Sequence, residues 1–307
     1  MATERELRKR IRSIHNIGQV TRALEAVAAS RVRKAQSTVL ATRPYARKAW
    51  EVLEHLAGQA GDVGQLHPLL EVRTEIKAAS IILFTSDRGL CGAFNTNMVR
   101  KTLDFMDRSS VPVTLVTVGR KGRDLMIRAG RQITAEFTHI GDLPGILEIT
   151  PIARTAIEDF LSRRVDMVYL AYMDFVNTLV QRPVIRRLLP LTPLDMAGQA
   201  LAEHVSSVPS GRPLVAEYLY EPDASSILQE VVPRFTELQV YQAVLESQAS
   251  EHSARMVAMR NATENAADLG EELTLARNNA RQAGITRELL DIAGGAEALA
   301  QAMAARS

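Results

Sequence analysis

The sequence predicts an α/β protein: a long antiparallel coiled coil of the N- and C-terminal helices, plus a central α/β domain with a mainly parallel, Rossmann-like sheet. Three observations predict it. The last quarter of the chain has no proline and repeats small or apolar residues at alternating spacings of four and three. The first part carries a second apolar stripe at helical spacing. Between them, short apolar runs alternate with amphipathic stretches, the pattern of a parallel sheet covered by helices. The expected divisions are 1–56 (N-terminal helix), 57–77 (linker), 78–220 (central domain) and 221–307 (C-terminal helix, pairing with 1–56).

The N-terminal helix has the stripe Leu7, Ile11, Ile14, Ile17, Val20, Leu24 and Val27. Pro44 is expected to kink or break it, because proline removes a helical donor and crowds the preceding turn. Three glycines in residues 57–64 read as the loop that leaves it. The expected strands are 80–85, 113–118, 165–176 and 214–220, with 184–191 as an edge strand between Pro183 and Pro190, where a missing donor costs least. The expected helices between them are 96–107, 120–129 and 146–164. Residues 197–212, rich in Gly, Ser and Pro, read as a connection.

The C-terminal helix is expected over 244–303. Its first seam runs Leu245, Ala249, His252, Met256, Met259, Thr263, Ala266, and a second run in shifted phase follows: Ile285, Leu289, Ile292, Ala296, Leu299, Met303. A helix of ~60 residues is roughly 90 Å long, too long for a compact domain, so it requires a partner along its seam. Charge points to the other end of the chain. The first 50 residues hold twelve Lys or Arg against three acids, and the last 48 hold five basic residues against seven acidic ones.

Net charge is only +2, so the basic arm is local. Arg31, Arg33 and Lys34 lack the neighbouring aromatics that would stack on bases, which favours a solvated face or a protein partner over nucleic acid. No apolar run reaches the ~18 residues of a membrane span. The charged N-terminus is expected to enter a helix at once, without a targeting segment. One cysteine, Cys91, excludes an intrachain disulfide.

The loop Thr85-Ser-Asp-Arg-Gly-Leu-Cys-Gly-Ala-Phe-Asn95 follows the first expected strand, where open α/β sheets take ligands. Asp87, Arg88 and Cys91 form a conceivable nucleophile with charged helpers. Neither phosphate-cradling pattern is present: there is no G-x-G-x-x-G after this strand and no G-x-x-x-x-G-K-S/T anywhere. The six histidines are scattered without metal-ligand spacing, so no metal is expected. Cys91 reads better as a small buried thiol. The stretch Ala276-Arg-Asn-Asn-Ala-Arg-Gln-Ala-Gly-Ile-Thr286 is rich in directional hydrogen-bonding groups, as a surface that grips a partner would be, and equally as a solvated face. Two other classes stay open on residues alone: an α/β enzyme with a coiled-coil arm, and a plain coiled-coil scaffold.

Three separated motifs carry a family resemblance. They are Arg10-Ile-Arg-Ser-Ile-His-Asn16 with Val27-Ala-Ala-Ser-Arg-Val-Arg-Lys-Ala-Gln36; Ser86-Asp-Arg-Gly-Leu-Cys-Gly-Ala-Phe-Asn95; and Ser250-Glu-His-Ser-Ala-Arg-Met-Val-Ala-Met-Arg-Asn-Ala-Thr263 with Glu272-Leu-Thr-Leu275 and Ala280-Arg-Gln-Ala-Gly-Ile-Thr286. In this order they resemble the gamma subunits of F-type ATP synthases, the central stalk of the rotary enzyme. The resemblance implies a rotor that couples ion flow through a membrane ring to ATP synthesis or hydrolysis in the surrounding catalytic subunits, with no catalysis, cofactor or metal of its own. It implies one copy per complex. The implied partners are the alpha3beta3 ring, the epsilon subunit and the membrane c-ring, on the cytoplasmic face of a bacterial plasma membrane.

Carried over position by position, the resemblance implies that Arg255, Arg281, Gln282 and Thr286 contact a loop of the catalytic subunits. Leu24, where the family often has methionine, continues with Arg31, Arg33 and Lys34 along an edge facing an acidic segment of a catalytic subunit. Tyr218, Tyr220 and Glu221 match the foot on the membrane ring and epsilon subunit. Asp87, Arg88, Gly89, Cys91, Gly92 and Asn95 form the family loop, with Ala93 where a second glycine is common. The cysteine-bearing insertion of chloroplast relatives is absent.

Overall fold

A computed structural model describes residues 3–59, 67–142, 144–191 and 224–304. The chain forms two compact units, one of Ala28–Arg255 and one of Met1–Val27 with Met256–Ser307. Five α-helices, a short 3-10 helix (Pro68–Leu70) and five strands are present among the described residues; the α-helices and strands are α1 (Glu4–Gln59), β1 (Ala79–Phe84), α2 (Phe94–Arg108), β2 (Val113–Val118), α3 (Arg120–Arg128), β3 (Ile133–Phe137), α4 (Ile146–Leu161), β4 (Met167–Phe175), β5 (Gln181–Leu189) and α5 (Ala224–Ala304).

In the α/β unit the sheet order is β3-β2-β1-β4-β5. Neighbours β3, β2, β1 and β4 run parallel, and β5 pairs antiparallel with β4. This is the expected mainly parallel sheet, with 184–191 appearing at the edge as the longer β5. The central strand β1 is buried along its whole length, as strands with both faces covered require. One face packs Ile82, Phe84, Val116 and Leu170 against Ile149, Ile152 and Phe160 of α4 and Val232, Val240 and Val244 of α5. The other packs Ile81, Leu83 and Leu115 against Phe94 and Met98 of α2 and Met126 of α3.

The strand β3 was not among the expected elements. Ile133, Ala135 and Phe137 alternate with exposed Thr134 and Glu136, a half-buried edge of five residues. The period-two signal was there, but too short to stand out beside the apolar runs. The expected strand over 214–220, the connection over 197–212 and residues 60–64 of the expected loop lie outside the described residues. Residues 57–59 belong to α1, not to a loop. Pro44 does not break α1, which runs from Glu4 to Gln59.

In the paired-helix unit, α1 opens with a capping box: Glu6 N–H donates to Thr3 Oγ1 and Thr3 N–H to Glu6 Oε2, at 3.4 and 3.0 Å. The buried seam departs from the expected stripe after Ile14. Ile17, Val20 and Val27 are 48, 59 and 49 % exposed, while Leu7 and Thr21 are 7 and 9 % exposed. Gly18 takes the seam position between Ile14 and Thr21, and a Cβ there would sit 3.6 Å from the Cβ of Ala266. Small residues win because they let the helix axes approach, which a ridge of Ile17 and Val20 would prevent.

On α5 the first expected seam holds: Leu245, Ala249, His252 and Met259 are buried, and Met256, Thr263 and Ala266 half-buried. The second run is exposed from Ile285 to Ala296, and the side chains of Leu299 and Met303 lie outside the described ones. Ile285, Leu289 and Ile292 are 50, 62 and 69 % exposed. The register explains it. Gly18 meets Ala266 and Thr21 meets Thr263, so each step down α1 is a step up α5, and Thr3 falls level with Arg281. Beyond that point α1 has no residue to offer.

Candidate functional site

The loop after β1 lies at the carboxyl end of the sheet, beside the gap between β1 and β4 where the chain order reverses. Dinucleotide enzymes bind their cofactor at such a point. Here the loop is tied down from within. Asp87 accepts from the Arg120 N–H through Oδ1 at 3.0 Å and from the His139 N–H through Oδ2 at 2.9 Å. One carboxylate thereby joins the segments following β1, β2 and β3. Gly119 makes the crossing possible: it has φ +98°, and a Cβ would lie 2.2 Å from the Thr85 carbonyl oxygen.

Asn95 fixes the other end of the loop, accepting from the Ser86 N–H at 3.0 Å and donating to Ser86 Oγ at 2.7 Å. Cys91 is 2 % exposed and lies beside both. Burial pushes its thiol up, and the Ser86 hydrogen bond only partly opposes that. The thiol therefore stays protonated and is a poor nucleophile. Both Asp87 oxygens are occupied by backbone donors. Gly89 and Gly92 belong to the turn, with Gly92 at φ 56°, and Arg88 contributes its carbonyl to Ser86 Oγ at 2.5 Å.

The same gap is contacted on both sides by α5. Ser250 Oγ donates to the Met173 carbonyl of β4 at 3.1 Å, and Arg255 donates to the Gly89 carbonyl at 3.2 Å. The ligand crevice of an ordinary α/β enzyme is thus covered by the chain's own helix.

Arg255 also pairs with Glu251 at 2.7 Å, and its side chain is only 12 % exposed. Its charge is committed inside the unit. Arg31 donates to Asp142 at 2.8 Å, whereas Arg33 and Lys34 are exposed on α1. His252, 2 % exposed, has no hydrogen-bond partner on either ring nitrogen. In the paired-helix unit Leu24 is half-buried, and Arg281, Gln282 and Thr286 are exposed on α5. Gln282 and Thr286 stand one turn apart on a single face. Tyr218, Tyr220 and Glu221 lie outside the described residues. Sequence reasoning missed Ser250 and Gly119, whose roles depend on contacts far away in the chain, and Glu251, whose partner Arg255 stands one helical turn on.

An α/β unit with its crevice covered by its own helix, and two chain ends wound together through small residues, define a class of helix-paired α/β protein. Comparison with known proteins gives that class a family. A family model described as ATP synthase matches residues 3–299, and the chain belongs to that family, among the gamma chains. It is 49 % identical over 302 residues to the ATP synthase gamma chain of Dehalococcoides mccartyi, covering 98 % of this chain and 100 % of the relative. It is 47 % identical over 305 residues to that of Roseiflexus castenholzii, with 98 and 100 % covered. Among solved structures, the rotor of the Euglena gracilis mitochondrial ATP synthase matches with a TM-score of 0.60 at 20 % identity, covering 92 % of this chain and 98 % of that one. The central stalk of the Tetrahymena thermophila enzyme matches with 0.58 at 24 %, covering 79 and 99 %. At such identities these two show the fold.

Proposed function

We propose that this chain is the central rotating stalk of an F-type ATP synthase, carrying torque between a membrane c-ring and the catalytic subunits of an alpha3beta3 ring and performing no bond chemistry itself. The observation that carries the reading is the antiparallel winding of α1 on α5 through Gly18, Thr21, Thr263 and Ala266, in a chain that matches gamma chains from end to end. The helix face of Ile17, Val20 and Val27 and residues 282–296 of α5 remain exposed, as surfaces for a surrounding partner should.

The mechanism is differential contact. One rod presents a different side to each of three catalytic subunits and biases each toward a different conformation. Moving a two-state equilibrium from 1:99 to 99:1 takes about 5.5 kcal/mol of differential affinity. A few polar contacts of ~1–3 kcal/mol each supply that. We assign such contacts to Arg281, Gln282, Thr286, Arg33 and Lys34, with Leu24 at the helix edge. Arg255 and Arg31, held by Glu251 and Asp142, contribute by positioning. The foot contacts with epsilon and the c-ring fall to Tyr218, Tyr220 and Glu221. The complex would hold one copy of the chain as a peripheral component on the cytoplasmic face of a bacterial plasma membrane. No helix among the described residues is long and apolar enough to cross a membrane.

The test is expression with the other subunits. Co-purification with six ring subunits is expected, and nucleotide turnover by the isolated chain would overturn the reading. Replacing Gln282 and Thr286 together by alanine should lower ATP turnover of the complex with assembly intact. Unchanged turnover would remove those two residues from the contact.

A further inference from the structure

A half-buried polar cluster between α5 and the β4–β5 hairpin has no part in anything described above. Glu246 Oε1 accepts from Gln242 Nε2, one turn earlier on α5, at 3.0 Å. Its Oε2 is sealed from solvent and has no hydrogen-bond partner. The carboxyl of Asp174, near the end of β4, and the phenol of Tyr172 on the same strand face both lie within reach of Glu246. From β5, Arg182 stands opposite Asp174 in the register, and the Arg186 guanidinium is 5.8 Å from the Tyr172 ring.

Two ionised carboxylates in contact are both acceptors. Neither supplies the hydrogen that Oε2 lacks, and their like charges repel beside an oxygen sealed from water. A hydrogen bond from Tyr172 serves one oxygen without removing the repulsion. A proton on Glu246 Oε2 does both, and leaves one negative charge for Arg182 and Arg186 to face.

We propose that a proton held on Glu246, facing the Asp174 carboxylate, fastens α5 to the β4–β5 hairpin, making this docking a pH-sensitive junction within the α/β unit. The inference rests on the cluster alone and is independent of the stalk assignment. Burial pushes the Glu246 carboxyl up, to about 7; the Gln242 hydrogen bond opposes this and the Asp174 charge adds to it. An acid raised in the docked state and ordinary when undocked gives docking that is strongest at low pH. The advantage fades as pH rises from the usual carboxyl range to about 7 and is gone above that. Acidification therefore tightens the junction.

Hydrogen exchange on the full-length chain, corrected for intrinsic rates, reads the junction directly. Amides around Glu246 and along β5 should be roughly tenfold or more better protected at pH ~5.5 than at ~7.5, as release of one proton on opening requires. Glu246→Gln, which carries its own donor, should keep at pH ~7.5 the protection that the native chain shows only in acid. Asp174→Asn serves as a second variant if the first fails to fold. Infrared spectra of the native chain should contain the carbonyl stretch of a protonated carboxylic acid at mildly acidic pH that both substitutions remove. A flat protection profile in the native chain, an unchanged slope in the variants, or the absence of that band would overturn the proposal.

Discussion

Thr21 of α1 and Thr263 of α5 face each other with their hydroxyl oxygens 2.7 Å apart. This is a polar contact at the centre of a seam otherwise made of small and apolar groups. Each hydroxyl also lies against a carbonyl of its own helix, Gly18 at 3.1 Å and Met259 at 2.9 Å. The pair therefore fixes register as well as contact. A shift by one residue would leave two hydroxyls facing apolar neighbours.

Replacing either threonine by valine keeps the shape and removes the contact between the two hydroxyls, while the remaining hydroxyl keeps the carbonyl of its own helix. The expected cost is ~0.5–1.5 kcal/mol for each single change. The double valine variant should cost less than the two singles summed, because the contact between the hydroxyls is lost only once. Denaturant titration of the four proteins in this cycle checks it, and strict additivity would show that the hydroxyls do not interact.

Gly18 and Gly119 should respond oppositely to alanine. At Gly18 the new methyl would make an ordinary contact with Ala266 at 3.6 Å. Relief of glycine's backbone entropy in mid-helix should then stabilise by ~0.5–1 kcal/mol. At Gly119 the methyl would meet the Thr85 carbonyl oxygen at 2.2 Å on a backbone with φ +98°. A loss of ~3 kcal/mol or more is expected from clash and strain together. Melting temperatures of the two variants should move in opposite directions.

Asp87 accepts from two backbone N–H groups, those of Arg120 and His139. Asp87→Ala should cost ~2–3 kcal/mol. Asp87→Asn should recover little of this, since its amide nitrogen places a donor against a donor. A melt of either variant matching the native protein would show that the three segments are held by other means.

His252 gives a pH prediction. Burial lowers its imidazole to about 4; the Asp142 carboxylate opposes this, and the charges of Arg255 and Arg31 assist it. The ring is neutral when folded, while the unfolded chain takes up a proton near the ordinary 6.5. The unfolded state thus binds more protons between these values, so this group's contribution is complete above ~6.5 and declines as pH falls to ~4. Against the native chain, His252→Leu should show an acid limb shallower by one proton in that window. Identical limbs would mean that the histidine does not titrate on unfolding.

Much of the architecture was legible because it rests on local periodicity. The four-three repeat of Leu245, Ala249, His252, Met256 and Met259 identifies α5, and apolar runs such as 113–118 identify buried strands. The candidate site was legible mainly as motif. The loop from Ser86 to Asn95 announces itself in sequence, but nothing local says that Asp87 serves Arg120 and His139, or that Arg255 turns inward to Glu251 and Gly89. The short edge strand β3 escaped because five half-buried residues carry little periodic signal.

By itself the sequence determined that this chain has two long helical ends, an α/β centre and no phosphate-binding loop, since each follows from residue spacing along one segment. Only the tertiary structure decided which stripe of α1 is buried. Hydrophobicity favours Ile17, Val20 and Val27, but the closeness of two helices favours Gly18 and Thr21. That choice depends on how near a partner can come, and such distances are set by side chains that meet from opposite ends of the chain.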